Sequence, residues 1–153
     1  MKKCFSSVVL LMVLLLASLS NAQDNKGKKI LYIDSYHEGY QWSDGIETGI
    51  KEILKDSGVE LKIIRMDTKR NPSEDFGKEA ALKAKGVIEE FKPDVVIASD
   101  DAASKFLISP FYKDADIPFV FCGVNWDASV YGYPYKNVTG MVEVSSIDEL
   151  VNY

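Results

Sequence analysis

Cysteine and histidine are scarce. Of two cysteines, Cys4 precedes an apolar run near the amino terminus and Cys122 stands alone in the rest of the chain. An intramolecular disulfide and any zinc or redox motif built from paired cysteines are therefore excluded. Cys4 also lies before the apolar run rather than at its end, where a lipid anchor would require it. The single histidine, His37, adjoins Glu38 but has no second imidazole to help hold a metal. Positive charge is short as well: 18 Lys and Arg face 23 Asp and Glu, a formal net charge of −5. That balance points away from nucleic acid and from anionic membrane surfaces. No apolar run reaches the roughly 20 residues that span a bilayer. Neither G-x-G-x-x-G nor a P-loop occurs, and no G-x-S-x-G elbow, which removes the signatures of dinucleotide binding, nucleotide hydrolysis and serine hydrolysis.

The amino terminus carries the pattern of an export signal. Met1-Lys2-Lys3 is a short positive start, Val8 to Leu16 is continuously apolar, and Ser20-Asn21-Ala22 places small residues before a cut ahead of Gln23. Residues 1–22 read as a signal peptide, so the mature chain is expected in the periplasm or outside the cell. Loss of Lys2 and Lys3 takes the charge from −5 to −7. Residues 23–29 form a polar leader, and the remainder, in a chain 46% apolar and 27% charged, is ordinary globular material.

From residue 30 to 144, short apolar runs alternate with helical patterns. Ile30 to Ile33 reads as a strand, followed by a helix marked by Ile46, Ile50, Ile53 and Leu54. Asp44 and Glu47 have the spacing of a capping pair, and Ser57-Gly58 closes the helix. Val59 to Met66 is a second strand. Ser73 is an expected N-cap for a long amphipathic helix with Phe76, Ala80, Ala84, Val87, Ile88 and Phe91 on one face. Val95 to Ala98 lacks polar alternation, as expected of a strand buried on both faces. A short helix over Ala102 to Ile108, a strand at Phe119 to Phe121 and another over Val138 to Val144 complete the order. The pattern predicts a doubly wound, mainly parallel α/β lobe with right-handed crossovers. Ser146 and Glu149 form a capping box ahead of Ile147, Leu150 and Val151, so residues 145–153 read as the start of a helix leading out of the lobe.

Ligands of open parallel sheets bind beyond the carboxyl ends of the strands. That rule selects Ser35, Tyr36, His37, Tyr40 and Trp42 after the first strand, Asp67 after the second, Ser99 and Asp100 after the third, and Gly123 and Asn125 after the fourth. Aromatic rings to stack a flat solute, with hydroxyls and carboxylates to orient it, suit recognition without catalysis or a cofactor. Bland roles compete: the aromatics serve equally to pack a long loop, one of Asp100 and Asp101 is expected as an N-cap, and Cys122 as a small buried hydrophobe. Phosphoacceptor chemistry at Asp34 or Asp100-Asp101 conflicts with export. Asn137-Val138-Thr139 fits a glycosylation sequon that overlaps a strand.

The segment Ile30 to Asp44 (ILYIDSYHEGYQWSD) resembles the opening of the ABC-transporter substrate-binding protein family with the type I periplasmic binding fold. It is most similar to the branch that also serves as the extracytoplasmic input module of sensor kinases and diguanylate cyclases. Asp94 to Ala103 and Ile117 to Asn125 resemble further stretches in the same order, and Asn137 to Gly140 resembles the approach to the interlobe crossover. The resemblance implies the first lobe of a two-lobed clamp on a small organic solute, with ABC permease subunits as partners. Its alternative is a sensing domain fused to a signalling module. The ligand-side positions it implies fall on Ser35 to Trp42, Ser99, Asp100, Gly123 and Asn125.

Overall fold

The inner strands stand where apolar runs such as Val95-Val96-Ile97 favour burial in a sheet interior, while the two edge strands are more polar and more exposed. In the computed structural model, which describes residues 25–144, they are β1 (Lys29–Asp34), β2 (Glu60–Arg65), β3 (Val95–Ser99), β4 (Phe119–Asn125) and β5 (Val138–Glu143). All pair in parallel in the order β2-β1-β3-β4-β5. The sheet is the doubly wound, parallel α/β arrangement expected. The signal peptide and the helix expected over 145–153 lie outside the described residues. Among those described, no helix is long and apolar enough to cross a membrane.

Helix α1 (Gln41–Leu54) and helix α2 (Glu74–Phe91) are the first two crossovers. The third, α3, is a composite of Asp100–Ala103, a π-helical turn Ser104–Ile108 and a last turn Ser109–Phe111. Ser73 caps α2 by accepting the Phe76 N–H. Ala80, Ala81, Ala84, Ile88 and Phe91 of α2 meet Leu31, Ile33, Val96, Ala98, Phe119 and Phe121 of the sheet and Leu107 and Ile108 of α3 in one buried core. Each fully buried large aliphatic or aromatic side chain contributes about 1.5–3 kcal/mol. On the other sheet face, Ser43 of α1 bonds Asp34, so the helices lie on both sides.

Four boundaries differ from the sequence reading. The polar leader ends early: Lys29 begins β1, and Lys28 pairs with Asp94. α1 starts at Gln41, so Asp44 is no N-cap but lies in the first turn, where its carboxylate accepts the Gly39 N–H. α3 begins at Asp100 with Ser99 at its N-cap position and no side-chain cap bond, so neither Asp100 nor Asp101 has the expected capping role. β4 continues past Phe121 to Asn125 through an irregularity in its pairing with β5, which puts Gly123 and Asn125 in the strand rather than in a loop after it.

Candidate functional site

In a 2-1-3-4-5 sheet the chain reverses its winding between β1 and β3, and the loops there diverge to leave a crevice at the carboxyl edge. β1 and β3 deliver Asp34-Ser35 and Ser99-Asp100 to that point side by side, with Asp34 in register with Ser99. All four are at most 3% exposed.

Ser35 and Ser99 build the floor. The Ser35 hydroxyl donates to the Ser99 carbonyl at 2.5 Å and accepts the Ala103 N–H at 2.9 Å. The Ser99 hydroxyl is 3.1 Å from the Tyr32 hydroxyl. Burial pushes the Tyr32 phenol well above its usual range. The Ser35 carbonyl accepts from both the Thr68 N–H and the Thr68 hydroxyl, which ties the loop after β2 to the same floor. Ser35 and Ser99 therefore hold the strand ends together.

The aromatics stand above this floor. Tyr36 and Tyr40 meet edge to face with centroids 5.2 Å apart, and His37 lies 5.8 Å from Tyr40. Lys69 Nζ sits 4.9 Å and 5.1 Å from the Tyr36 and Tyr40 ring centres, within cation–π range. The Asp67 N–H donates to the Tyr36 carbonyl, and Arg70 beside Asp67 holds that carboxyl below its ordinary value. Trp42, 42% exposed on the first turn of α1, borders an open groove of about 560 Å³ with Tyr40, Gln41, Gly45 and Ile46. Burial pushes Tyr36 up, with Asp100 and Asp101 adding to the effect.

Asp100 is the electrostatic centre. Burial pushes its carboxyl up to about 7, and Asp34 and Asp101 raise it further, while hydrogen bonding from Ser99 and Trp42 draws it down. Its backbone takes φ +67°, a conformation Asp tolerates better than most residues at some cost. Asp67 (φ +56°) and Trp126 (φ +60°), just beyond β2 and β4, take the same left-handed backbone on the same rim. Gly123, itself at φ +71°, lets the carboxylate approach: a Cβ there would lie 3.0 Å from Asp100 Oδ1. Cys122 is half-buried and free, and burial pushes its thiol up to about 11, so it is not a ready nucleophile.

All ten residues singled out by sequence stand on this one rim. Asn125 bonds not into the crevice but to Asp101, donating to Oδ2 at 2.6 Å, while the Tyr131 hydroxyl donates to Oδ1 at 2.8 Å. Asp101, Tyr131, Asp34 and Ser43 complete the rim, and sequence reading left them out of the site. Asp34 Oδ1 accepts from the Tyr36 N–H and the Ser43 hydroxyl, each at 2.8 Å, and Arg65 Nε lies 3.9 Å from its other oxygen. Position at the carboxyl end of β1 was the available signal for Asp34. Tyr131 reaches the rim through a single 3₁₀ turn, Ala128–Tyr131, that no periodicity announces. The sequon residue Asn137 donates to the Tyr112 and Ile117 carbonyls and so ties β5 to the turn before β4.

Fold and site together define a doubly wound lobe with a polar, aromatic rim at its switch point. No family model matches the chain, and no curated protein matches it. Among solved structures the fold is similar to the ABC domain from Streptococcus pneumoniae in complex with L-Trp, with a TM-score of 0.53 and 20% identity over 75% of this chain. The chain spans 38% of the length of that structure. At this identity the likeness is one of fold.

Proposed function

We propose that this chain supplies the first lobe of an extracytoplasmic solute-binding protein that captures a small organic solute for an ABC-type importer. The observation that carries the reading is the convergence of Tyr36, Trp42, Asp67 and Asp100 on the carboxyl edge, over a floor already closed by Ser35 and Ser99. Such a surface offers stacking faces and a few directed polar groups, which orient a solute without altering it. His37 Nδ1 lies 2.9 Å from the Glu38 carbonyl, a bond that orients the ring within its own loop. The L-Trp carried by the fold's solved counterpart supports a small-molecule ligand, and the export signal over residues 1–22 supports capture outside the cytoplasmic membrane.

Thermal-shift and calorimetric titration of the protein against amino acids, purine-like compounds and small oligosaccharides tests this. A ligand present at 100 times its Kd adds about 2.7 kcal/mol of stability. Saturable binding by one class without turnover is expected. Chemical conversion of the solute, or an unmoved melting curve across the panel, would overturn it. Co-purification with permease subunits would favour transport over the sensory reading that the branch resemblance raises.

A further inference from the structure

Four carboxylates stand on the rim, and three have their donors within the protein. Asp34 has the Tyr36 N–H and Ser43, with Arg65 nearby; Asp67 has Arg70 and Asn71; Asp101 has Asn125 and Tyr131. Asp100 differs. It is 3% exposed, and its Oδ2 is buried with no hydrogen-bond partner. An oxygen left so is costly, and such atoms in a folded protein call for an explanation.

A neutral donor would satisfy the oxygen but leave the charge. Asp34 and Asp101 are both close enough to act on Asp100 and add negative charge beside it. A solute carboxylate or phosphate would be repelled there. A protonated amine brings N–H donors and the compensating charge in one group, and charge-assisted bonds of this kind are about twice as strong as neutral ones. The Trp42 ring, beside the open groove, can hold the body of such a molecule and add cation–π attraction, whereas the Tyr36 ring already faces Lys69. Trp42, on the first turn of α1 beside the open groove, lies close enough to act on the Asp100 carboxyl.

We propose that Asp100 is the specificity-determining residue of the site and that it selects solutes carrying a protonated amine on a flat or aromatic body. This rests on the solute-binding reading and narrows it to organic cations, including zwitterions whose amine enters first. Asp34 and Asp101 strengthen the selection through their charge, and Gly123 provides the space in which the carboxylate sits.

Three probes of one shape and three charges test it: phenethylamine, 2-phenylethanol and 3-phenylpropionate. Each is titrated into the protein while the Trp42 indole N–H and backbone amides are followed by NMR. Phenethylamine is expected to bind at least tenfold more tightly than the alcohol, and 3-phenylpropionate more weakly than either. In Asp100→Asn the advantage of the amine over the alcohol should fall to less than threefold, with the alcohol's own affinity kept as the internal control. If all three bind Trp42 alike, or the variant keeps the preference, the amine assignment is wrong while solute binding at the rim stands. If none moves the Trp42 signal, the amine assignment is overturned, and solute binding is decided by the wider panel.

Discussion

Replacing Asp100 by Asn should stabilise the protein, and by an amount that depends on pH. The substitution keeps the shape and the ability to accept a hydrogen bond but removes the ionisable proton. Burial lifts the carboxyl from its ordinary 3.8 to about 7 in the folded chain. The folded state therefore holds a proton that the unfolded state releases in this interval. The stability this proton confers is complete below pH 3.8 and is lost as pH rises through about 7. At about 1.36 kcal/mol per pH unit, the full loss is roughly 4 kcal/mol. The variant has no charge to bury and escapes that loss. Urea unfolding of both proteins at pH 4 and pH 8 measures the difference. A gap under about 1 kcal/mol at pH 4 that opens to roughly 4 kcal/mol at pH 8 is expected, in favour of the variant. Tyr32, Tyr36, Asp34, Asp101 and Cys122 face the same carboxyl from the strands and loops around it and remain in both proteins. Equal gaps at the two pH values would refute the reasoning, because Asp100 would then ionise in the folded chain as freely as in water.

Other substitutions probe the scaffold under the site. Gly123→Ala places a Cβ 3.0 Å from Asp100 Oδ1 at φ +71°, and a loss of about 1–3 kcal/mol with a displaced Asp100 is expected in denaturation curves. Ser35→Ala strips the bonds to the Ser99 carbonyl and the Ala103 N–H; a loss of about 1–3 kcal/mol, with faster hydrogen exchange at Ala103, is expected. Leu107→Ala opens a cavity in the core between sheet and helices and should cost about 2–5 kcal/mol in urea. For an amine probe, affinity should rise with pH through about 7 as Asp100 ionises, until the amine itself deprotonates; titration calorimetry at pH 5.5 and 8.5 reads the sign.

Sequence carried most of the architecture, for reasons visible in particular elements. Val95 to Ala98 is apolar at every position because β3 lies mid-sheet. Helix α2 combines a side-chain cap at Ser73 with a 3.6-residue apolar repeat, two signals that agree. The misread boundaries lie where tertiary contacts decide. The start of α1 at Gln41 has no side-chain cap; Ser43, bonded to Asp34 of β1, fixes it, and no local pattern records that bond. β4 runs beyond the expected Phe121 because Gly123 occupies an irregularity in the strand that makes room for Asp100, a tertiary feature with no local pattern. The rule that ligands gather at strand carboxyl ends brought ten residues to one edge. It could not separate Asn125, already engaged by Asp101, from Asp100, whose free oxygen depends on what is missing around it.

The most direct measurement is a map of amide chemical-shift changes when a solute mixture is added to the ¹⁵N-labelled protein. The account predicts changes confined to residues 35–42, 67–68, 99–101 and 123–126, at the carboxyl ends of the strands. Changes centred instead on the turns at 55–59, 92–94 and 113–117, at the amino ends, would contradict it.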